Sequence, residues 1–141
     1  MQSYPSVLTL GHRYLAELLL DPVVIQEKVD GSQISFDMLP STEDQAPILR
    51  IRSKGADILP DSPEKMFTPG VEYIKSIQDK LCSGWIYRGE YLSKPKHNTL
   101  RYARIPRNHI VLFDVEISEG AYLSPYQLEE EANRLGLEAV P

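Results

Sequence analysis

A lysine beside a turn-forming pair is the first feature of this sequence that could do chemistry. Lys28 lies in the run EKVDGS, residues 27–32, directly after the apolar, β-branched residues 23–25, which predict a buried strand over residues 23–28. A lysine attacks as a nucleophile only through its neutral amine, so a catalytic lysine needs partial burial or nearby positive charge. Asp-Gly between two strand patterns is also an ordinary hairpin signal. The run by itself therefore leaves two interpretations open: a nucleophile, or a surface lysine beside a turn.

Three later strand patterns also carry groups suited to a polar site. Arg52 and Lys54 lie where the third predicted strand ends. Glu90 lies in a run of aromatic residues, where a carboxylate is costly unless a ligand, a cation or a hydrogen-bond donor meets it. Phe113 and Asp114 close an apolar run. The order along the chain is a lysine, a basic strand end, a Gly-Glu strand and a Phe-Asp strand.

In this order and spacing the sequence resembles the ATP-dependent RNA ligase family, especially the phage-type enzymes that seal breaks within duplexes. It is similar more broadly to the covalent nucleotidyltransferases, which include DNA ligases and mRNA capping enzymes. The resemblance runs from about residue 23 to about residue 116. It implies an α+β, antiparallel-sheet nucleotidyltransferase domain (ATP-grasp-like ligase) with a nucleotide pocket between sheet layers. It also implies ATP and Mg²⁺ as cofactors, and RNA with 5′-phosphate and 3′-hydroxyl ends as the partner.

The resemblance assigns the first group of residues to the lysine motif. Lys28 matches the nucleophile that attacks the α-phosphate of ATP, expels pyrophosphate and holds AMP through a phosphoramide bond. Glu27 matches the position whose backbone lies along the adenine edge, with a solvated side chain as the alternative. Asp30 and Gly31 match the turn of the motif, either as turn-formers or as neighbours of the ligand.

The later motifs are assigned in the same way. Arg52 and Lys54 match a basic motif that contacts phosphates of the nucleotide or the RNA end, or are exposed strand-end bases. Glu90 matches an acceptor of ribose hydroxyls, or a salt-bridge partner of a neighbouring arginine. Phe113 matches the aromatic residue that stacks on adenine, or packs in the core, and Asp114 is a weaker candidate for the same site. Apart from Glu90 and Asp114 as candidates, no motif assigns a metal ligand.

The sequence departs from the family pattern in two places. Gln33 stands where DNA ligases typically carry arginine, which fits the RNA ligases better. The metal-binding Glu-Gly strand and the phosphate-binding Lys-x-Lys strand of the family do not follow Glu116. Residues 1–141 are therefore expected to be the N-terminal part of the domain without its C-terminal strands, and the missing part is an expected partner. A DNA ligase, a capping enzyme and a non-catalytic nucleic-acid-binding fragment remain alternatives.

Charge is distributed unevenly along the chain. The net charge is −5, yet residues 91–113 contain no acidic residue and five basic ones, which leaves 20 acids against 10 bases elsewhere. The five are Lys94, Lys96, Arg101, Arg104 and Arg107. A local basic segment in an acidic protein favours a phosphate-bearing partner over bulk coating of nucleic acid. We predict that the basic segment, residues 94–107, contacts RNA or the phosphates of ATP, with a solvated loop as the alternative.

The elements that must position these groups follow from periodicity. Alternation and β-branched runs predict strands at 23–28, 34–38, 48–53, 85–92 and 109–116. Helical patterns predict helices at 12–20 and 71–81 and a well-capped one after Ser124 that ends at Gly136. The tail beyond it reads as the approach to a further strand. With 141 residues, one cysteine and no signal-like N-terminus, we expect one cytosolic domain.

Overall fold

The computed structural model describes every residue from Met1 to Pro141. It contains seven strands and two α-helices, so the α+β class predicted from the sequence is confirmed. The elements are β1 Ser32–Leu39, β2 Ile48–Ser53, β3 Asp57–Ile58, α1 Thr68–Ser76, β4 Ile86–Tyr91, β5 Ile110–Ser118, β6 Ala121–Tyr122, α2 Pro125–Arg134 and β7 Glu138–Ala139. Four 3₁₀ turns lie at Arg13–Leu15, Lys65–Phe67, Gln78–Lys80 and Arg107–His109.

The strands form one sheet in the order β3-β2-β1-β4-β5-β6. All neighbours in that order are antiparallel, while β7 runs parallel to β5 and shares its outer edge with β6. The register shifts by one residue between Arg88 and Gly89, where β4 meets β5. Because side chains alternate between the two faces of a strand, this register decides which groups meet on each face.

One face of the sheet is apolar and packs against both helices. Ile34 and Phe36 of β1 and Tyr87 of β4 join Val71 and Leu128 from the helices in a single core of 18 buried residues. Burial of this apolar surface is the main term that stabilises the fold. The opposite face carries mainly polar residues, with one small apolar cluster formed by Val29, Leu92, Val111 and Val140.

Helix α2 begins and ends as its sequence predicts. Ser124 accepts the backbone N–H of Gln127, and the Gln127 side chain accepts the N–H of Ser124, which completes a capping box. Gly136 follows the helix with φ of +69°, a conformation that favours glycine. The predicted helix at 71–81 is split instead, because α1 ends at Ser76 and a 3₁₀ turn continues the same buried face to Leu81.

The prediction of a strand at residues 23–28 is wrong. These residues are irregular, and the side chains of Val23, Val24 and Ile25 are 41%, 68% and 87% exposed. A β-branched run forms a strand only beside partners for its backbone groups, and here just Glu27 donates its N–H, to the carbonyl of Pro141 at 2.9 Å. Asp30-Gly31 is consequently not a hairpin turn.

Three other expectations also fail. The helix predicted at 12–20 shrinks to the single 3₁₀ turn Arg13–Leu15, with no buried residue to hold a longer one. The tail after Gly136 is itself a strand, β7, rather than the approach to one. The expected nucleotide pocket between sheet layers is not present in residues 1–141, because the strands form a single sheet. None of the helices is long and apolar enough to cross a bilayer.

Candidate functional site

The polar face of the sheet is organised in rungs that run across the strands. Ser35 of β1 lies opposite Arg52 of β2 on one side and Arg88 of β4 on the other. Arg88 in turn lies opposite Asp114 of β5. We call this row, Arg52, Ser35, Arg88 and Asp114, the arginine rung. A neighbouring rung carries Glu90 opposite Gln33.

Glu90 is the centre of a charged cluster. Burial raises the pKa of Glu90 to about 7, while the ammonium of Lys28, the backbone N–H of Gly31 and the ammonium of Lys54 lower it and the carboxylate of Asp30 raises it further. Burial disfavours the charged carboxylate and the two lysines favour it. The fold therefore packs Gly31 directly against Glu90. It places Asp30, Lys28 and Lys54 near enough to act on the Glu90 carboxylate through their charges, without an ion pair from either lysine.

Gly31 allows this approach. A Cβ built on Gly31 would lie 2.5 Å from the carbonyl oxygen of Tyr91 and 3.1 Å from Oε2 of Glu90. The first contact is with backbone that cannot rotate away. A side chain at residue 31 would thus force residues 27–31, which we call the lysine-bearing segment, away from β4. Glycine is therefore required here for close packing and not for a left-handed conformation.

Lys28 itself is exposed, as is Glu27. Val29, one residue later, is buried and packs against Leu92 and Val111, which fixes the C-terminal end of the segment on the sheet. Glu27 lines an open cleft of about 230 Å³ that it shares with Tyr102 and other residues of the basic segment. The nucleophile candidate is therefore anchored through Val29 and not through a strand of its own.

Asp30 holds the basic segment over the lysine-bearing segment. Its Oδ2 accepts the backbone N–H groups of Thr99 and Leu100, both at 2.8 Å. Its own N–H donates to the hydroxyl of Tyr102 at 2.7 Å, and Asn98 Nδ2 donates to the carbonyl of Gly31 at 2.7 Å. The hydrogen bonds from Leu100 and Thr99 lower the pKa of Asp30. We call this arrangement the Asp30 clamp.

The basic segment exposes most of its charge. Lys94, Lys96, Arg101 and Arg107 are exposed and form no ion pair, whereas Arg104 contacts Glu138 at 3.0 Å. His97 adds a further tie, because its Nε2 lies 2.8 Å from Oγ of Ser32 and its Nδ1 accepts the N–H of Ser93 at 3.0 Å. Four cations without ion pairs thus lie on a loop that is hydrogen-bonded to residues 30–32, close to Lys28 in the sequence.

Arg52 and Phe113, the remaining predicted site residues, lie on the polar face but contact the N-terminal residues. Arg52 Nη1 donates to the carbonyl of Met1 at 2.5 Å. The ring of Phe113 packs edge-to-face with Tyr4 at a centroid distance of 5.0 Å. Arg52 belongs to the arginine rung and Phe113 lies at its border, so both are one rung away from Glu90.

The alternative prediction of a salt bridge between Glu90 and Arg88 is wrong, because Arg88 pairs with Glu116 instead. Neither Arg88 nor Tyr4 has a role assigned by the family resemblance. Arg88 is 1% exposed, donates to Ser35 Oγ at 3.2 Å and to Glu116 Oε2 at 3.2 Å, and leaves its buried Nε without an acceptor. The period of two in the run YRGEY puts Arg88 on the same face as Glu90, so its position could have been inferred. Nothing in the sequence indicates that Tyr4 reaches β5.

No group of three or more His, Cys, Asp and Glu side chains is arranged to hold a metal ion. Mg²⁺ in phosphate-handling sites is usually bound by one or two carboxylates together with phosphate oxygens and water. Glu90 and Asp30, which both interact with the ammonium of Lys28, fit that requirement. Of the two, Asp30 is already occupied by the clamp.

The fold and the charged face are consistent with a ligase domain. The family model that matches the chain is that of the RNA ligases, and it covers residues 21–141. The chain therefore belongs to the RNA ligase family, as its motifs indicated. A comparison with curated proteins gives no significant match.

Proposed function

We propose that this protein is an ATP-dependent RNA ligase that works through a covalent lysine adenylate. In the first step the amine of Lys28 attacks the α-phosphorus of ATP, the bond to pyrophosphate breaks, and the amine loses a proton as the P–N bond forms. AMP then passes to an RNA 5′-phosphate. Attack by an RNA 3′-hydroxyl finally seals the strand and releases AMP.

The observation that carries this proposal is the close packing of Gly31 against Glu90, since a Cβ on Gly31 would lie 3.1 Å from Oε2 of Glu90. This packing brings the chain around Lys28 to the Glu90 carboxylate, whose pKa the charges of Lys28 and Lys54 lower. A nucleophilic amine, a second cation and a carboxyl group within one electrostatic cluster are the groups that adenylate transfer requires. Phosphoryl transfer is catalysed mainly by positioning and by neutralising charge on the phosphate oxygens. In this proposal Lys54 and Arg52 neutralise phosphate charge, and Glu90 accepts a ribose hydroxyl.

We assign adenine to Phe113, whose ring lies on the polar face, and the adenine edge to the backbone of Glu27. Mg²⁺, when bound with ATP, would neutralise phosphate charge and would be held through Glu90, with Asp30 beside it. The remaining site groups, Asp30 and Gly31, position Lys28 rather than react, through the clamp and through the close approach to Tyr91.

The RNA partner is assigned to the basic segment. Four exposed cations without ion pairs on residues 94–107 suit a phosphate backbone, because sequence-independent contacts to phosphates dominate nucleic-acid affinity. The Asp30 clamp ties this segment to residues 30 and 31. An RNA end bound there would lie close to the adenylated lysine.

We also propose that the protein acts in the cytosol.

A second candidate is a non-catalytic nucleic-acid-binding part of such a domain. Lys28 is exposed and precedes the sheet instead of lying in it, and the later family strands do not follow Glu116. We propose that residues 1–141 are the N-terminal part of the ligase domain, and that the remaining strands would complete the phosphate contacts. The two candidates differ in one observable, covalent AMP.

The test is to incubate the purified chain with ATP and Mg²⁺ and to measure its intact mass. We expect the added mass of one AMP, absent in Lys28→Ala and retained in Lys65→Ala, which removes an exposed lysine outside the cluster. A folded chain that gains no AMP while still binding RNA would replace the ligase proposal with the binding candidate. An adduct that persists in Lys28→Ala would reject Lys28 as the nucleophile.

A further inference from the structure

The N-terminal residues lie across the polar face of the sheet, along the arginine rung. The carbonyl of Met1 accepts a hydrogen bond from Arg52 on β2. The carbonyl of Gln2 accepts one from Arg88 on β4 at 2.8 Å, and the hydroxyl of Tyr4 donates to Asp114 on β5. We call residues 1–4 the N-terminal strap. It crosses the four strands from β2 to β5 in the order of the rung.

The strap presents to this face the same kinds of group that a nucleotide presents. The ring of Tyr4 packs edge-to-face on Phe113 at 5.0 Å, as an aromatic base could. Its hydroxyl donates to the carboxylate of Asp114 beside that ring. Two carbonyl oxygens meet two guanidinium groups, which also bind phosphate oxygens through the same N–H donors.

The strap satisfies the arginine rung incompletely. Nε of Arg88 is buried and has no acceptor, although Nη1 and Nη2 both have partners. A buried donor without a partner is destabilising. A ligand with several phosphate oxygens offers more acceptors than the backbone carbonyl of Gln2 does, so a nucleotide would satisfy Arg88 better than the strap.

Few contacts outside the strap itself hold it on the sheet. The residues that join it to the rest of the chain are irregular, and Val7 and Leu10 are 73% and 69% exposed. The next backbone hydrogen bonds along the chain are local to Thr9 and His12. Few contacts would have to break beyond those of the strap itself.

We propose that the N-terminal strap is an autoinhibitory occupant of the nucleotide site, and that Arg88 passes its Nη1–H donor from Gln2 to the nucleotide when the strap is displaced. This inference rests on the proposed function, because it assigns ATP to the polar face. A strap that is closed about nine-tenths of the time would weaken apparent nucleotide affinity by about tenfold.

Calorimetric titration with α,β-methylene-ATP and Mg²⁺ tests the inference, because this analogue cannot transfer its adenylate group. We expect Tyr4→Ala to bind it about tenfold more tightly than the unmodified chain, a change of about 1.4 kcal/mol. Tyr4→Phe keeps the ring on Phe113 but loses the bond to Asp114, so its affinity should lie between the two. Tyr14→Ala, which removes an exposed tyrosine outside the strap, should bind like the unmodified chain.

The outcomes separate the strap from the proposed function. Unchanged or weaker binding in Tyr4→Ala would overturn the strap while leaving nucleotide binding established. No binding in any variant would overturn the nucleotide site and the strap with it. If Tyr4→Ala fails to melt cooperatively by circular dichroism, Tyr4→Phe decides: tighter binding supports the strap, and unchanged or weaker binding overturns it.

Discussion

The carboxylate of Asp30 accepts the backbone N–H of Thr99, which lies 69 positions further along the sequence, at 2.8 Å. This bond joins the lysine-bearing segment to the basic segment. Together with the bond from Leu100 and the bond from the Asp30 N–H to Tyr102, it makes Asp30 a main anchor of the segment that carries four exposed cations. Asp30 thus has a structural role that its place in a supposed hairpin turn did not indicate.

The Asp30 clamp should open when its carboxylate is altered. Asp30→Asn keeps the size of the side chain but replaces one charged acceptor, so we expect the amides of Thr99 and Leu100 to exchange hydrogen several-fold faster. Asp44→Asn, an exposed carboxylate in the β1–β2 loop, is the matched control. Equal exchange in both variants would show that the clamp does not hold the basic segment.

The clamp should also depend on pH. Because its hydrogen bonds lower the pKa of Asp30, the stability it contributes is complete above the ordinary pKa of an aspartate. It is lost as the pH falls through the lowered value. After correction for intrinsic rates, the hydrogen exchange rate of the Thr99 amide should therefore not change with pH near neutrality. It should become faster in acid, where the clamp opens.

Glu90 should titrate near neutrality. Its pKa is raised to about 7, above its value in an unfolded chain, so its contribution to stability is complete in acid and is lost as the pH rises through about 7. Carboxyl ¹³C NMR, assigned with Glu90→Gln, measures the midpoint. Lys28→Met should raise that midpoint further, because it removes the ammonium that favours the carboxylate. An unmoved midpoint would place Lys28 outside the cluster.

Gly31 and Gly55 form a matched pair for testing close approach. Gly31→Ala should destabilise the chain by about 1 to 3 kcal/mol, because its Cβ would lie 2.5 Å from the Tyr91 carbonyl. Gly55→Ala meets nothing within 4 Å and should change stability little. Urea denaturation compares the two, and equal midpoints would contradict the packing of residue 31 against β4.

Arg88 and Arg104 test how burial changes the worth of an ion pair. Arg88→Met should destabilise by about 3 kcal/mol, since it leaves the largely buried carboxylate of Glu116 without its partner. Arg104→Met breaks a pair whose arginine side chain is 68% exposed and should lose less than about 1 kcal/mol. Adding Glu116→Gln to Arg88→Met should recover part of the loss. Similar losses from the two single variants in thermal or urea unfolding would contradict the buried pair.

The sequence by itself determined the elements whose signals are local. Strand β2 and helix α2, with its Ser124 cap and Gly136 end, lie where the pattern predicted them. Alternation and capping depend on residues a few positions apart, so these patterns can be recognised without knowledge of the fold. The motif order also indicated the RNA ligase family, which the match over residues 21–141 confirms.

Only the tertiary structure decided which distant groups meet. The apolar run at 23–25 reads as a buried strand, yet no strand lies beside it and it stays exposed. The Asp30 clamp, the arginine rung and the N-terminal strap join residues tens of positions apart. Their contacts depend on strand register and on which surfaces remain uncovered. Both are properties of the whole sheet, which no short window of sequence contains.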